Sequence, residues 1–195
     1  MLDTLRIAGF GGGTLFVVDP TAGPPTALVS GLGVLAGVAA HEADGAVWMS
    51  ELTDLVRVPV DDPAGWTRHH PFDPRLFADN LVCAGNELLF PYYRVVSRIE
   101  AMTLRTPILA RLAYRLARLL PASWFGSAAP GQAPDRFDQP CFGRFDPTTG
   151  RITSARLEAH REGFDGHCTH VEAAGDHLVF INYLAREVLV ATPSR

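Results

Sequence analysis

The sequence predicts an all-β protein, a β-propeller of four-stranded antiparallel blades with about three blades' worth of strands and one helical insertion. Two observations predict this fold. One short pattern, a turn residue followed by an apolar run that ends in an aromatic, occurs three times, and an Asp-Pro turn between apolar runs also occurs three times. Four short strands in a unit of about forty residues are typical of a propeller blade. A β-sandwich whose hairpins resemble one another is the alternative.

The first pattern recurs at intervals of 42 and then 90 residues, and the longer interval equals the shorter one plus an insertion of 48 residues. Its copies begin at Asp44, Asn86 and Asp176 and end at Trp48, Phe90 and Phe180. The Asp-Pro turns have Gly late in the turn, which suits a hairpin. They begin at Asp19, Asp62 and Asp146.

The two patterns divide the chain into two whole blades and two partial blades. We expect residues 5–30 to form only the outer part of a blade, and residues 34–70 to form a complete one. Residues 78–160 are expected to form a second whole blade that carries the insertion, and residues 166–192 to supply three strands. A single domain is therefore predicted over residues 1–195.

The insertion, residues 93–139, is predicted to contain a helix over about residues 104–120. Leucine and isoleucine recur there at helical spacing, Pro107 suits a first turn and Pro121 ends the helix. Its charges are arginines, with no acid between Glu100 and Asp135. The helix either lies on an anionic membrane surface or packs over the propeller mouth with its arginines in water. Residues 122–139, rich in Ala, Gly, Pro and Ser, are predicted to be a return loop.

The composition excludes several classes of protein. Apolar residues make up 47% of the chain and charged residues 19%, which excludes a disordered chain. A net charge of −4 argues against a nucleic-acid partner. All 17 basic residues are arginine, so lysine Schiff-base and P-loop chemistry are excluded. An odd number of cysteines, three, implies no disulfide framework. No signal peptide or membrane span is recognised, which predicts a cytoplasmic protein.

Known catalytic motifs are absent. The glycines from Gly9 to Gly13 do not follow a strand and do not open a helix in the predicted layout, so they are not a dinucleotide-binding loop. The sequence contains no Gly-x-Ser-x-Gly and no His-Glu-x-x-His. Candidate site residues must therefore come from the predicted blades.

The sequence resembles the strictosidine synthase-like proteins. The similar segments are Leu35-Ala-Gly-Val-Ala39, Ala43-Asp-Gly-Ala-Val-Trp-Met-Ser-Glu51, Ala78-Asp-Asn-Leu81, the Arg- and Leu-rich insertion that ends in Leu-Leu-Pro, residues 142–150, and residues 175–182. The order of these short motifs and the insertion are the specific part. The similarity runs over nearly the whole chain, mostly along the family's C-terminal two-thirds.

This resemblance implies a six-bladed propeller related to the senescence marker protein/gluconolactonase group, whose members include lactonases and arylesterases. It also implies a divalent cation, usually Ca²⁺, held in the central channel by oxygen ligands. Asp79 matches a metal ligand of the gluconolactonase branch and Asn80 the asparagine of the strictosidine-like branch. Ala36 stands where an asparagine ligand is expected. The late channel position, an acid in the plant synthase, falls near Thr169 and His170, which argues against Pictet–Spengler chemistry.

Five residues are the candidate site. Asp79 begins an innermost strand, so its carboxylate can bind a metal or act as a general base, or it can cap a turn. Asn80 and Glu51 are predicted to bind substrate; a turn asparagine and a solvated loop acid are the alternatives. His167 and His170 are the predicted catalytic acid and base. Because they are three apart, a regular strand would point them to opposite faces, one buried and one solvated.

Two functions remain open from the sequence. One is a hydrolase of lactones or aryl esters, in which a channel cation near Asp79 activates water and His167 or His170 moves protons. The other is a non-catalytic propeller that binds a small ligand or a protein partner. About three blades leave two blade faces exposed. We therefore expect either a homodimer, in which residues 5–30 complete the partner's blade at 166–192, or a piece of a longer propeller.

Overall fold

The computed structural model describes residues 2–21, 23–70, 76–95, 98–121, 142–155, 169–182 and 187–191. The chain forms two compact units. The first comprises Met1–Leu35 and Ser97–Pro134, and the second comprises Ala36–Val96 and Asp135–Arg195. The predicted return loop from residue 122 to residue 139 lies outside the described residues, as do Cys141, His167 and Cys168.

The first unit begins with a helix that the sequence analysis did not predict. Helix α1 (Leu2–Phe10) is followed by the antiparallel hairpin of β1 (Gly13–Val17) and β2 (Thr26–Leu32). The two strands agree with the prediction, but residues 5–10 were wrongly included in the outer part of a blade. Leu5, Ala8 and Gly9 form the buried face of α1. Gly11, at φ +63°, donates its N–H to the carbonyl of Ile7, which ends the helix.

The insertion contains two helices where one was predicted. Helix α2 (Arg98–Arg105) and helix α3 (Pro107–Ala117) are separated by Thr106. Pro107 opens α3, as expected, because proline fits the first helical position and disfavours a helical conformation at the residue before it. The same restriction explains why the helical pattern is interrupted at Thr106.

The second unit contains three antiparallel sheets that match the predicted strand order. The first sheet is β3 (Gly37–His41), β4 (Ala46–Glu51), β5 (Asp54–Pro59) and β6 (Thr67–His69), each paired with the next. This arrangement confirms the complete blade expected over residues 34–70. Its β5–β6 connection contains the Asp-Pro turn that begins at Asp62.

The second sheet carries the insertion between its middle strands. It contains β7 (Leu76–Ala78), β8 (Val82–Ala84), β9 (Glu87–Val95), β10 (Phe142–Asp146) and β11 (Arg151–Ala155). β10 and β11 follow on one side of β9, while β7 and β8 pair with successive parts of its other edge. The third sheet, β12 (His170–Ala174), β13 (His177–Asn182) and β14 (Glu187–Ala191), supplies the three strands predicted over residues 166–192.

The sheets of the second unit stack through the two faces of the second sheet. On one face, Phe90 and Phe145 pack in a buried cluster with Trp48 of the first sheet. On the other face, Leu89 packs in a second buried cluster with Phe180 of the third sheet. Because successive side chains of a strand point to opposite faces, neighbouring residues of β9 pack against different sheets. This stacking brings the innermost strands β3, β8 and β12 into a row.

Candidate functional site

Three equivalent residues precede the innermost strands. Each lies five residues before the last residue of its strand, and the backbone N–H of each donates a 3.0 Å hydrogen bond to a carbonyl of the next long strand. These strand-start residues are Ala36, Asp79 and Thr169, and their acceptors are Ser50, Pro91 and Ile181. The three positions that sequence similarity singled out are therefore one structural position repeated in three sheets.

The segments that contain these residues touch one another. A Cβ at Gly37 would lie 2.6 Å from the Cα of Asn80 and 2.4 Å from the backbone nitrogen of Leu81, so only glycine fits there. The side-chain amide of Asn80 donates a 2.7 Å hydrogen bond to the carbonyl of Thr169. The starts of β3, β8 and β12 thus form one continuous surface, which we name the strand-start site.

Two anchors from the first sheet fix the backbone of Asp79. The hydroxyl of Ser50 donates a 2.6 Å hydrogen bond to the carbonyl of Asp79, and the N–H of Ala78 donates a 2.7 Å bond to the carbonyl of Leu52. Leu52 has φ +53°, a left-handed conformation that is strained for a residue other than glycine. Ser50 was missed as a site residue, although a serine within the apolar run of β4 was a usable signal.

Asp79 is partly buried, and its environment makes its carboxyl group harder to ionise than that of an exposed aspartate. Burial raises the pKa of Asp79 above its ordinary value of 3.8, and this effect exceeds the lowering by the N–H of Asn80 and the charge of His170. The carboxylate is consequently a stronger base than an exposed aspartate. A partly buried carboxylate of raised pKa is a recognised mark of a functional site.

His170 opens β12 and is close enough for its charge to act on Asp79. Its Nε2 atom lies 3.5 Å from a carboxylate oxygen of Glu172, and both side chains are substantially exposed, so this pair contributes little to stability. His170 is therefore partly open to solvent, and its charge lowers the pKa of Asp79. His167 lies outside the described residues.

Glu51 and Asn80, the two predicted substrate-binding residues, both have partners within the protein. Glu51 is only 7% exposed, and its two carboxylate oxygens accept hydrogen bonds of 2.5 and 2.8 Å from the guanidinium of Arg68. Such a bidentate pair holds a carboxylate firmly. The side-chain nitrogen of Asn80 donates a hydrogen bond to the carbonyl of Thr169, and its side-chain carbonyl oxygen is able to accept one.

A second carboxylate, Asp44, organises the outer end of β3. It accepts hydrogen bonds from Trp48 Nε1 and Arg57 Nε, both at 3.1 Å, and lies 3.0 Å from Nδ1 of the buried His41. Partial burial by itself raises the pKa of Asp44, but these hydrogen bonds and the charge of Arg57 bring it below its ordinary value. Asp44 stays ionised and holds the turn between β3 and β4 together.

The thiol of Cys83 is not a nucleophile candidate. Burial, together with the negative charges of Glu42 and Asp44, raises the pKa of Cys83, which keeps the sulfur protonated. Its side chain packs against the buried cluster around Phe90, as expected for a core cysteine.

The strand-start site does not by itself form a metal centre. Within the described ranges, no three His, Cys, Asp or Glu side chains lie together as a metal would need. Asp79 offers one carboxylate, and Ala36 offers no side-chain oxygen at the equivalent position. The Thr169 hydroxyl donates a hydrogen bond to the carbonyl of Ile181, and its oxygen lone pairs stay able to accept. Ca²⁺ takes six to eight oxygen ligands, so the described residues of this site do not by themselves complete its coordination.

The fold is similar to that of a solved β-propeller structure. Virginiamycin B lyase from Staphylococcus aureus, a β-propeller, superposes with a TM-score of 0.53 at 10% sequence identity. The fold is that of a β-propeller. The similarity covers 93% of this chain and 45% of the lyase, so the propeller chain spans about half the length of that neighbour. No protein-family model and no curated protein matches the sequence.

The propeller fold confirms the predicted fold class and leaves the chemistry to be argued from the site. Within the part of the chain that the structure describes, none of the helices is both long and apolar enough to cross a membrane.

Proposed function

We propose that this propeller is a hydrolase of lactones or aryl esters, with Asp79 as the general base and His170 as the general acid. The partly buried carboxylate of Asp79 is the observation that carries the proposal. Burial raises its pKa, and the charge of His170 acts on it. The resemblance to strictosidine synthase-like and gluconolactonase proteins supports the substrate class. Backbone anchors from Ser50 and Leu52 support a fixed position for the carboxylate.

In the proposed reaction, the Asp79 carboxylate takes a proton from water while the water oxygen bonds to the carbonyl carbon of the ester. The bond from that carbon to the leaving oxygen breaks, and the leaving oxygen takes a proton from the His170 imidazolium. The products are an acid and a phenol, or one hydroxy acid from a lactone. The proton on Asp79 then passes through solvent to His170, which restores both groups. No step of this reaction uses a cation.

A second copy of the chain is proposed to supply the remaining blades. The outer face of the third sheet carries the cross-strand pairs Val179–Val190 and Ile181–Val188. Val188 and Val190 are more than half exposed, and such β-branched pairs are ordinarily covered by a neighbouring blade. Two copies together would approach the length of the matched propeller.

The test is turnover of phenyl acetate and δ-valerolactone by protein separated by size-exclusion chromatography with light scattering. We expect turnover above the uncatalysed rate in the fraction that has twice the 21.1 kDa chain mass. Each fraction is assayed with added Ca²⁺ and after a chelator, and turnover lost with the chelator would show that the reaction requires a bound cation, which would contradict the cation-free steps proposed above. Absence of turnover from every folded fraction under both conditions would refute the proposed hydrolase.

A non-catalytic binding propeller is the second candidate, because two predicted site residues are already engaged. Asn80 ties the second sheet to the third, and Glu51 is held by Arg68. In that case the strand-start site binds a ligand without transforming it. Turnover by the wild-type protein separates the two functions.

A further inference from the structure

The helices of the first unit pack with their small residues inward. Ala110 and Ala117 form the buried side of α3. Gly9 of α1 approaches α3 so closely that a Cβ on it would lie 2.8 Å from the backbone nitrogen of Arg111. The guanidinium of Arg111 hydrogen-bonds the carbonyl of Gly9 and lies 5.3 Å from the centre of the Phe10 ring. These contacts fix which side of α3 faces away from α1.

The outward side of α3 carries its large apolar side chains, on successive turns about 180° around the helix from the buried alanines. The exposed fractions are 75% for Ile108, 53% for Leu112 and 54% for Leu116, and Leu119 in the turn after α3 is 81% exposed. On α2, Ile99 and Met102 are also more than half exposed. An amphipathic helix ordinarily turns its large apolar residues to the core. Here they are exposed instead, and we name Ile108, Leu112, Leu116 and Leu119 the apolar stripe.

Positive charge accompanies the apolar stripe. Between residues 98 and 121 there are five arginines and one glutamate, a net charge of +4 in a chain whose total is −4. The other residues therefore carry −8 together. The five arginines are Arg98, Arg105, Arg111, Arg115 and Arg118, and all are exposed. An anionic surface would attract this segment and repel the rest of the chain.

We propose that α2 and α3 bind the surface of an anionic lipid membrane, with the apolar stripe in the acyl boundary and the arginines among the headgroups. Large apolar residues on one side and arginine as the predominant charge are the features of a helix that lies in a membrane interface. Arginine also strengthens binding to an anionic leaflet, because its guanidinium carries a positive charge and several N–H groups that can donate to phosphate oxygens. If the stripes of two chains packed together, arginines of one chain would lie near arginines of the other. The repulsion between these like charges argues against the stripe as an interface between identical helices.

The probes are sedimenting vesicles of phosphatidylcholine alone and of phosphatidylcholine with about one third phosphatidylglycerol. We expect the wild-type protein to sediment with the anionic vesicles and to be released as the salt concentration rises, because screening weakens the arginine contribution. Binding to neutral vesicles is expected to be much weaker.

The deciding variant is I108S/L112S/L116S, which changes three exposed side chains and leaves the buried alanines in place. Its partition onto anionic vesicles is expected to fall at least about tenfold. The matched control, V17S/V18S/V60S, changes three valines of comparable exposure elsewhere and is expected to bind like wild type. Circular dichroism checks that both variants are folded.

The proposal would be overturned by no binding of the wild type to anionic vesicles at low salt, by equal binding of the stripe variant, or by equal loss in the control. A wild type that self-associates through the stripe and ignores vesicles would also overturn it, and light scattering would reveal this as a dimer that the stripe variant does not form. If the stripe variant fails to fold, R115Q/R118Q replaces it, and unchanged binding and salt dependence in that variant would overturn the proposal equally.

Discussion

Replacing Asp79 with asparagine is expected to lower kcat/KM for phenyl acetate or lactone hydrolysis by about 10²- to 10⁴-fold, the range typical of losing a general base. The amide has nearly the same shape but cannot accept the proton of water. The carbonyl of Asp79 accepts from the Ser50 hydroxyl and its N–H donates to the carbonyl of Pro91, and neither bond involves the Asp79 side chain, so D79N is expected to fold. Steady-state kinetics at neutral pH make the measurement.

D146N is the matched control, since Asp146 is a partly exposed aspartate at the end of β10 whose carboxylate accepts hydrogen bonds from Thr148 and Thr149. It is expected to keep wild-type kcat/KM. D79N that is folded and retains most of the wild-type activity would contradict a general-base role for Asp79.

The pH dependence of the stability of D79N is a second test of the environment of Asp79. The folded protein holds the Asp79 proton more tightly than the unfolded chain, because burial raises its pKa above 3.8. The contribution of this carboxyl group to the free energy of unfolding is complete below the pKa of Asp79 in the unfolded chain. It falls as the pH rises from that value through the pKa of Asp79 in the folded protein. Above that window, D79N is expected to be at least as stable as wild type.

Replacing Phe90 with alanine is expected to reduce the free energy of unfolding by about 3–5 kcal/mol. Phe90 is fully buried at the interface of the first two sheets, where its ring meets Tyr92 edge-on at 5.6 Å. A Cβ on Gly143 would lie 2.3 Å from that ring, which shows how closely the strands pack around it. The variant would leave a cavity that these strands cannot close.

Denaturant unfolding monitored by circular dichroism measures this loss, with F16A as the control. Phe16 is 54% exposed, so its truncation is expected to change stability by no more than about 0.5 kcal/mol. A loss below about 1 kcal/mol for F90A, or equal losses in the two variants, would contradict the packing of β9 between neighbouring sheets.

The repeated elements of the fold were predictable from the sequence. Turn residues such as Asp44, Asn86 and Asp176 lie where strands must reverse, so the spacing of the patterns located three sheets and the insertion. Helix α1 was not found, because its nine residues were read with the strands that follow them. Its glycine-terminated end at Gly11 was a local signal that could have identified it.

The strand-start site was predictable only in part. The sequence singled out Ala36, Asp79 and Thr169 through family similarity, and the repeated backbone hydrogen bonds show that they are equivalent. The bonds from Ser50 to Asp79 and from Asn80 to Thr169 span 29 and 89 residues. Such contacts depend on how one sheet stacks on the next, which no local pattern encodes. The same reason explains why the ion pair of Glu51 with Arg68 was missed.

The proposed hydrolase depends on a partly buried Asp79 that accepts a proton near the charge of His170. Carboxyl-carbon NMR titration of aspartate-labelled protein, with the Asp79 signal assigned by its loss in D79N, measures this directly. We predict a pKa above 3.8 in the wild type and a still higher one in H170Q, because the histidine charge lowers the pKa of Asp79. A pKa at or below 3.8, or one that H170Q leaves unchanged, would contradict the account.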